Sequence, residues 1–485
     1  MWINTSVATV LLGLTQYIAG QNVSADQYYQ VGQDYVNFLT QAVPSPFHAV
    51  EEASKRLKAQ GFKRLNEQKD WEKEIQANGK YYIVRNGASL VAFAVGGNYK
   101  PGNGFTIAGT HTDSPQLKLK PNWSKTKDGF TTAGVETYGG GIWHTWIDRN
   151  LGLAGKVIIK DGNKYKTKLI NINKPALYIP GLPVELNTVN AKTTFIKLNK
   201  ETNLVPVIGL SNAGNGKADG SKLLWNQVAA QAGVSADKIS GFELSAYDLQ
   251  KPTLGGFRNE FVLSGRQDNL MMTYGAVEGL LHSLADDSLK ADPNVRVASI
   301  FDHEEVGSSS RHGAGSTLLP NVISRVVSSQ SDSKKDPTLY DQGIAKSFLV
   351  SADQGHAQHP NYPTKIESNN APVLNEGPTL KVHLGQRYST NAHTALVLQL
   401  AARAANVTVQ TFLNRNDGSP GSTIGPILST LSGIPTVDIG NSQFSMHSAR
   451  EISGTLDVLK ARELFTSYFR NFPQITAQLD SDIDE

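Results

Sequence analysis

Apolar and polar positions change period along the chain, and each change marks an element. From Tyr28 to Ala42 apolar residues recur at helical spacing, with Val31, Tyr35, Phe38 and Leu39 on one face, and Pro44-Ser45-Pro46 ends the run. Val50 to Gly61 predicts a second helix. Tyr81 to Val84 and Leu90 to Val95 read as strands joined at Asn86-Gly87, and Phe105 to Gly109 is a short apolar run that stops at His111. Between about Gln116 and Lys251 the runs are short and rich in Val, Ile, Thr, Lys and Gly. Val157–Ile159, Leu169–Ile172 and Thr194–Leu198 predict strands there. After Lys251 strand-like and helix-like segments alternate: helix Asn269–Leu284, strand Val295–Phe301, strand Ser347–Ser351, helix Ala392–Ala405, strand Thr436–Ile439 and helix Leu456–Phe469.

This alternation predicts an α/β fold, a mainly parallel sheet flanked by helices. A β-rich insertion, residues 116–251, interrupts it, so the α/β part is discontinuous: residues 28–115 and 252–479. Residues 1–27 form an extension and 480–485 an acidic tail. Within the extension, Val7 to Gly20 is too short to span a bilayer. It reads either as the apolar core of a secretory signal cut near Gly20 or as an element packed on the body. No Lys or Arg precedes Lys55, so a signal's usual basic start is missing.

Composition narrows the function classes. The 485 residues are 39% hydrophobic and 18% charged, as expected of a folded chain, and too many for one ordinary core. Lys and Arg total 46 against 43 Asp and Glu, without a basic stripe, which argues against nucleic acid as a partner. There is no cysteine. Disulfides, a thiolate nucleophile and Cys-bound zinc are excluded, and any metal must rest on His, Asp and Glu.

Five clusters of such residues follow strand-like runs or lie in turn-rich loops, where α/β sheets gather their ligand sites. His111-Thr112-Asp113 offers an imidazole ligand with a carboxylate two residues on to orient it. Asp268, in Gly265-Arg266-Gln267-Asp268-Asn269, stands where a loop enters a helix, as a cap or as a carboxylate that bridges two metals. Glu304 and Glu305 follow the apolar run Val295–Phe301, where two buried unpaired carboxylates are costly. Cations remove that cost and leave one Glu free as a general base. Asp353 follows Phe348-Leu349-Val350 and precedes His356 and His359. His447 lies in a loop after the last strand. Together His111, Asp268, Glu305, Asp353 and His447 give two imidazoles and three carboxylates. With Asp268 shared, each of two metals receives three ligands and keeps an open position, the pattern of catalytic zinc. Glu304 is then placed to deprotonate the activated water.

At these residues, and at Pro44–Val50 and Val135–Trp143, the sequence resembles the M18 family of metallo-aminopeptidases, from about Tyr28 to Phe472. The resemblance implies a zinc-peptidase type of fold and removal of N-terminal residues from peptides. Two zinc ions per subunit are implied, with cobalt or manganese able to substitute: His111 and Asp353 on one, Glu305 and His447 on the other, and Asp268 between them. It also implies Glu304 as base, Asp113 as the orienter of His111, a β-rich dimerisation domain, and a homododecamer built from dimers. No membrane or nucleic-acid partner is expected, and the compartment is cytoplasmic by resemblance, or secretory or vacuolar if residues 1–20 act as a signal. The family branch that prefers acidic N-terminal residues carries a lysine matched by Lys381, with His356 and Tyr388 as secondary pocket candidates. Where that branch places a histidine near a subunit contact, this sequence carries Glu185. Neutral specificity, and a shell-forming scaffold without catalysis, are the competing expectations. The Gly-rich stretch Asn414–Pro426 lacks the lysine of a phosphate-binding loop and is read as a loop for the substrate backbone.

Overall fold

The computed structural model describes residues 25–183, 185–186, 198–211, 220–329 and 336–479. The apolar segment Val7–Gly20, the acidic tail, and nearly all of the predicted strand Thr194–Leu198 lie outside them. No helix among the described residues is long and apolar enough to cross a membrane.

A nine-stranded mixed sheet forms the centre. In spatial order its strands are Lys63–Arg64, Lys80–Arg85, Ser89–Val95, Val295–Phe301, Phe105–His111, Phe348–Ala352, Thr436–Gly440, Thr379–Val382 and Gln410–Leu413. Five of its eight pairings are parallel and three antiparallel. Its middle strands are buried throughout, which is why they read as unbroken apolar runs rather than alternating ones.

Alternate residues serve opposite faces. Ala298 and Ile300 pack with the helices Pro46–Ala59, Gln267–Ser283, Ala392–Ala404 and Thr455–Thr476, whereas Val295, Val297 and Phe301 pack with Leu318–Ser329 and Ile424–Ser432. The break at Pro44-Ser45-Pro46 is shorter than the sequence suggests. Ser45 caps the next helix and Pro46 opens it, since proline's missing N–H costs nothing in the first turn.

Residues 116–248 build a second sheet of six antiparallel strands: Lys164–Leu177, Leu151–Asp161, Ile239–Asp248, Gln116–Lys127, Phe130–Tyr138 and Val207–Leu210. The helix Gly220–Ala232, which the sequence pattern did not single out, packs Leu224, Val228 and Ala232 with Leu153, Val157 and Ile170 of this sheet. A third, five-stranded sheet pairs Phe261–Ser264 with Glu451–Gly454 and so brings the Arg266 turn beside Glu451.

Two helices cross closely behind the central sheet. Gly275 and Gly279 face Ala461 and Phe465, and a Cβ at Gly279 would stand 2.3 Å from the Phe465 Cβ. Gly279→Ala is expected to cost about 1–3 kcal/mol by overpacking, seen as a lower urea midpoint. Gly209→Ala, with open space at its Cβ, should stay within about 0.5 kcal/mol of wild type.

Candidate metal centre

The carboxyl ends of four neighbouring strands deliver the chemistry. His111 ends Phe105–His111 opposite Phe301, and Glu304 and Glu305 follow Phe301 in a one-turn 3₁₀ helix. Asp353 follows Phe348–Ala352 and is fixed by its N–H donating to the Ile439 carbonyl at 2.9 Å. His447 lies in the loop after Thr436–Gly440, with φ of +66°. Asp268 sits in the first turn of Gln267–Ser283, where its backbone and that of Asn269 depart from helical angles. This departure replaces the expected simple helix entry and turns the Asp268 side chain toward both histidines.

The five predicted ligands converge. His111 Nε2 lies 3.4 Å from Asp268 Oδ1 and 3.3 Å from Asp353 Oδ1. His447 Nε2 lies 3.3 Å from Asp268 Oδ2 and 3.2 Å from Glu305 Oε2. Two groups of three therefore form, each with ligand atoms within 4.8 Å of one another: His111, Asp268 and Asp353, and Asp268, Glu305 and His447. Asp268 belongs to both. Glu304 Oε2 stands 3.9 Å from His111 Nε2.

Asp113 organises this arrangement more broadly than the His-x-Asp spacing indicates. Its backbone carbonyl faces His111 Nδ1 at 3.0 Å, with its carboxylate further off at 3.4 Å. The carboxylate accepts the N–H groups of Glu304 and Glu305, each at 3.1 Å, and the Tyr138 hydroxyl at 2.6 Å. Asp113 thus orients the imidazole and clamps the loop of the two glutamates. Tyr138 comes from the six-stranded sheet, as does the segment whose Gly140 carbonyl lies 3.2 Å from His447 Nδ1.

Glu451 carries a role the sequence did not reveal. Its buried carboxylate accepts backbone N–H groups from Gln267 at 2.6 Å, Asp268 at 3.1 Å and His447 at 3.0 Å. One side chain fixes the backbone of two predicted ligands. The only sequence signal was a charged residue opening a short strand.

Charge in this pocket is poorly balanced by protein alone. Burial, and then the neighbouring carboxylates Asp353 and Glu305, push Glu304 well above the usual carboxylate range despite His111. Burial and Asp268 push Glu305 up to about 7, and burial and Asp268 push Glu451 up to about 8. Burial disfavours the charged form of Asp268, but His111 and His447 outweigh it and hold the carboxyl well below its ordinary value. Asp268 Oδ1 and Glu305 Oε1 are buried without a hydrogen-bond partner. Buried carboxylates that keep an unpartnered oxygen and lie against imidazole nitrogens are what a divalent cation satisfies, so these residues fit zinc.

The pocket candidates are near the same place. Lys381 is buried. Its Nζ donates to the Gln354 carbonyl at 2.7 Å, lies 3.9 Å from Asp353 Oδ2 and stands 5.6 Å from the Tyr388 ring centre. Tyr388 is buried, and a Cβ at Gly421 of the Gly-rich loop would lie 3.6 Å from its hydroxyl, so that loop borders Tyr388. His356 is exposed, with its ring 5.9 Å from Phe412. Glu185 lies in an exposed turn, and no ion pair among the described residues joins it to the cluster.

Imidazole and carboxylate sets at the strand ends of an α/β sheet define a metalloenzyme. A family profile described as aminopeptidase I zinc metalloprotease (M18) matches residues 38–469, and the chain belongs to that family. The aspartyl aminopeptidase of Aspergillus oryzae is 41% identical over 488 residues, covering 92% of this chain and 97% of its own. A cryo-EM structure of an Ape4 and Nbr1 complex superposes with a TM-score of 0.90 at 40% identity, covering 95% of this chain and 90% of that one. The dodecamer of Saccharomyces cerevisiae mApe1 gives 0.81 at 28% identity, covering 94% and 99%.

Glu451→Ala leaves three N–H groups without their acceptor. At about 1–3 kcal/mol for each buried unsatisfied group, the variant should lose about 3 kcal/mol or more, measured by denaturant unfolding of metal-stripped protein, where lost metal cannot contribute.

Proposed function

We propose that this chain is a di-zinc aminopeptidase that removes Asp or Glu from peptide N-termini. The observation that carries the reading is the convergence of His111, Asp353, Glu305 and His447 on the two oxygens of Asp268, with Glu304 alongside. The acidic preference is supported by the 41% identity to an aspartyl aminopeptidase over nearly the whole length. His111 and Asp353 would hold one ion and Glu305 and His447 the other, with Asp268 shared. The ions would be zinc, with cobalt or manganese able to replace it. Zinc supplies Lewis acidity, polarising the peptide carbonyl and bringing the acidity of water near neutrality.

The chain's own residues do the rest. Glu304 takes a proton from the attacking water as its oxygen bonds to the carbonyl carbon, and returns it to the amine as the C–N bond breaks. Asp113 holds Glu304 and Glu305 through their N–H groups. Lys381 would receive the substrate's side-chain carboxylate, with Tyr388 and His356 lining the approach.

The layout would be of zinc-peptidase type, with residues 28–115 and 252–479 as the catalytic domain and 116–251 as a dimerisation domain. Exposed apolar side chains on that segment, Phe130, Ile158, Tyr165, Leu182, Leu186 and Leu210, support an interface there. The likeness to a dodecameric aminopeptidase supports assembly of dimers into a dodecamer.

Glu304→Gln should lower kcat by about 100- to 10,000-fold while the zinc content per chain, measured by atomic absorption, stays at the wild-type value. Near-normal turnover would remove Glu304 from the mechanism. For specificity, kcat/KM on Asp-, Glu- and Leu-terminated chromogenic substrates should rank Leu last. Lys381→Met should lower the Asp value by about 30-fold or more, the loss expected for one partner of a buried charge pair, and spare Leu. A wild-type enzyme that cleaves the Leu substrate best would overturn the acidic pocket.

A further inference from the structure

A second set of metal-ligating side chains lies outside the centre described above. Asp302, His303 and His312 offer one ligand atom each, all within 4.8 Å of one another. Asp302 Oδ2 is 3.5 Å from His303 Nε2 and 3.5 Å from His312 Nε2. Two ligands at about 2.0–2.1 Å from a tetrahedral zinc are separated by about 3.3–3.4 Å, so these spacings leave room for one ion. The rings of His303 and His312 lie 4.6 Å apart, tilted by 46°.

The hydrogen bonds around the three leave lone pairs on the ring nitrogens that face Asp302. His303 Nδ1 faces the Ser310 hydroxyl at 2.9 Å, and that oxygen also accepts the Gly313 N–H at 3.0 Å. With Nδ1 donating to Ser310, Nε2 keeps its lone pair for a ligand, the arrangement that orients metal-bound histidines. The Asn86 side-chain amide faces His312 Nε2 at 3.2 Å while its Oδ1 accepts from Lys156 Nζ at 2.9 Å. An amide N–H donates there, so His312 Nε2 also presents a lone pair, and an ion would displace that single donor.

The set is built rather than incidental. The Ser89 hydroxyl donates to the His312 carbonyl at 2.6 Å and accepts the Asp302 N–H at 3.0 Å, so one residue ties both ends of the loop. The Ser308 N–H closes on the His303 carbonyl at 2.7 Å. Asp302 is 4% exposed, yet among the described residues no Lys or Arg pairs with it, and the groups within 4 Å of its Oδ2 are the two imidazoles. A buried carboxylate in that position gains from a cation. The side chains of His303 and His312 are 25% and 14% exposed, which leaves an entry path from solvent.

We propose that Asp302, His303 and His312 form a separate transition-metal site, which would take zinc or cobalt through two nitrogens and one oxygen. It shares no ligand with the Asp268 centre. Glu304 and Glu305 lie on the loop between its ligands, so an ion here staples the segment that carries them.

The test compares zinc content of the full-length protein with that of His312→Gln after equilibrium dialysis against micromolar zinc. Wild type should hold one more zinc per chain than the variant, whatever number the Asp268 centre holds, and Asp302→Asn should show the same deficit. Equal zinc in all three overturns the site and leaves the three side chains as a hydrogen-bonded loop brace. If the variants do not fold, anomalous diffraction at the zinc edge from wild-type crystals decides. A peak between Asp302, His303 and His312 supports the site, and bare density there overturns it.

Discussion

Buried negative charge is the constraint around which this molecule is arranged. Asp113, Asp268, Asp353 and Glu451 are buried, and the carboxylates of Glu304 and Glu305 lie beside them, against two histidines and one lysine. Carboxylates in such a place repel one another and lose their water, so each needs a specific answer. For Asp113 and Glu451 the answer is backbone: two and three N–H groups respectively, drawn from the segments that carry Glu304, Glu305, Asp268 and His447. For Asp268 and Glu305 the protein leaves oxygens unanswered. The division is informative. Carboxylates satisfied by N–H groups hold the frame, and those left unsatisfied, facing imidazole nitrogens, are available to cations.

The frame also explains why the six-stranded sheet cannot be regarded as an appendage. Tyr138, at the end of one of its strands, donates to Asp113, and the Gly140 carbonyl just beyond faces His447. Arg266, next to the Asp268 turn, is buried with its guanidinium donating to Gln116 and to the Ala246 carbonyl, both from the same sheet. Displacing that sheet would therefore disturb Asp113, Asp268 and His447 together. On the proposed reading, in which the segment also makes the dimer contact, association and the metal centre are joined through hydrogen bonds a few residues long.

Much of this was legible in the sequence, for definite reasons. A strand buried on both faces has to be an unbroken apolar run, so Val295–Phe301 could be bounded to the residue, and the polar residues just beyond such runs had to lie at strand ends. His111, Glu304, Glu305 and Asp353 were found that way. Asp268 and His447 do not stand directly after such a run, and their place rests on local backbone departures that no side-chain pattern encodes. Glu451 was missed because a carboxylate serving backbone N–H groups across 183 residues leaves no local periodicity. The helix Gly220–Ala232 escaped notice because its buried residues are few and small. Lys381 is marked in the sequence by resemblance alone, since an isolated lysine in a short strand is usually solvated; only the fold places Asp353 beside it.

On the proposed reading, Lys381 would tie specificity to the metal centre. An ammonium group has three donors, and one is committed to the Gln354 carbonyl. Its charge lies 3.9 Å from Asp353 Oδ2, whose other oxygen faces His111. Lysine is a compact charge on a flexible stem and can shift between two anions, where the planar fork of an arginine would commit to one. On the proposed reading, a substrate carboxylate arriving at Lys381 draws positive charge away from Asp353 and makes that oxygen pair a stronger ligand. Coupling of this kind is reciprocal: whatever an acidic side chain adds to the hold of Asp353 on a cation, a cation at Asp353 adds to the hold of Lys381 on an acidic side chain. On that reading one buried ammonium would answer both the substrate carboxylate and Asp353, which is a sufficient physical reason to bury a lysine at that place.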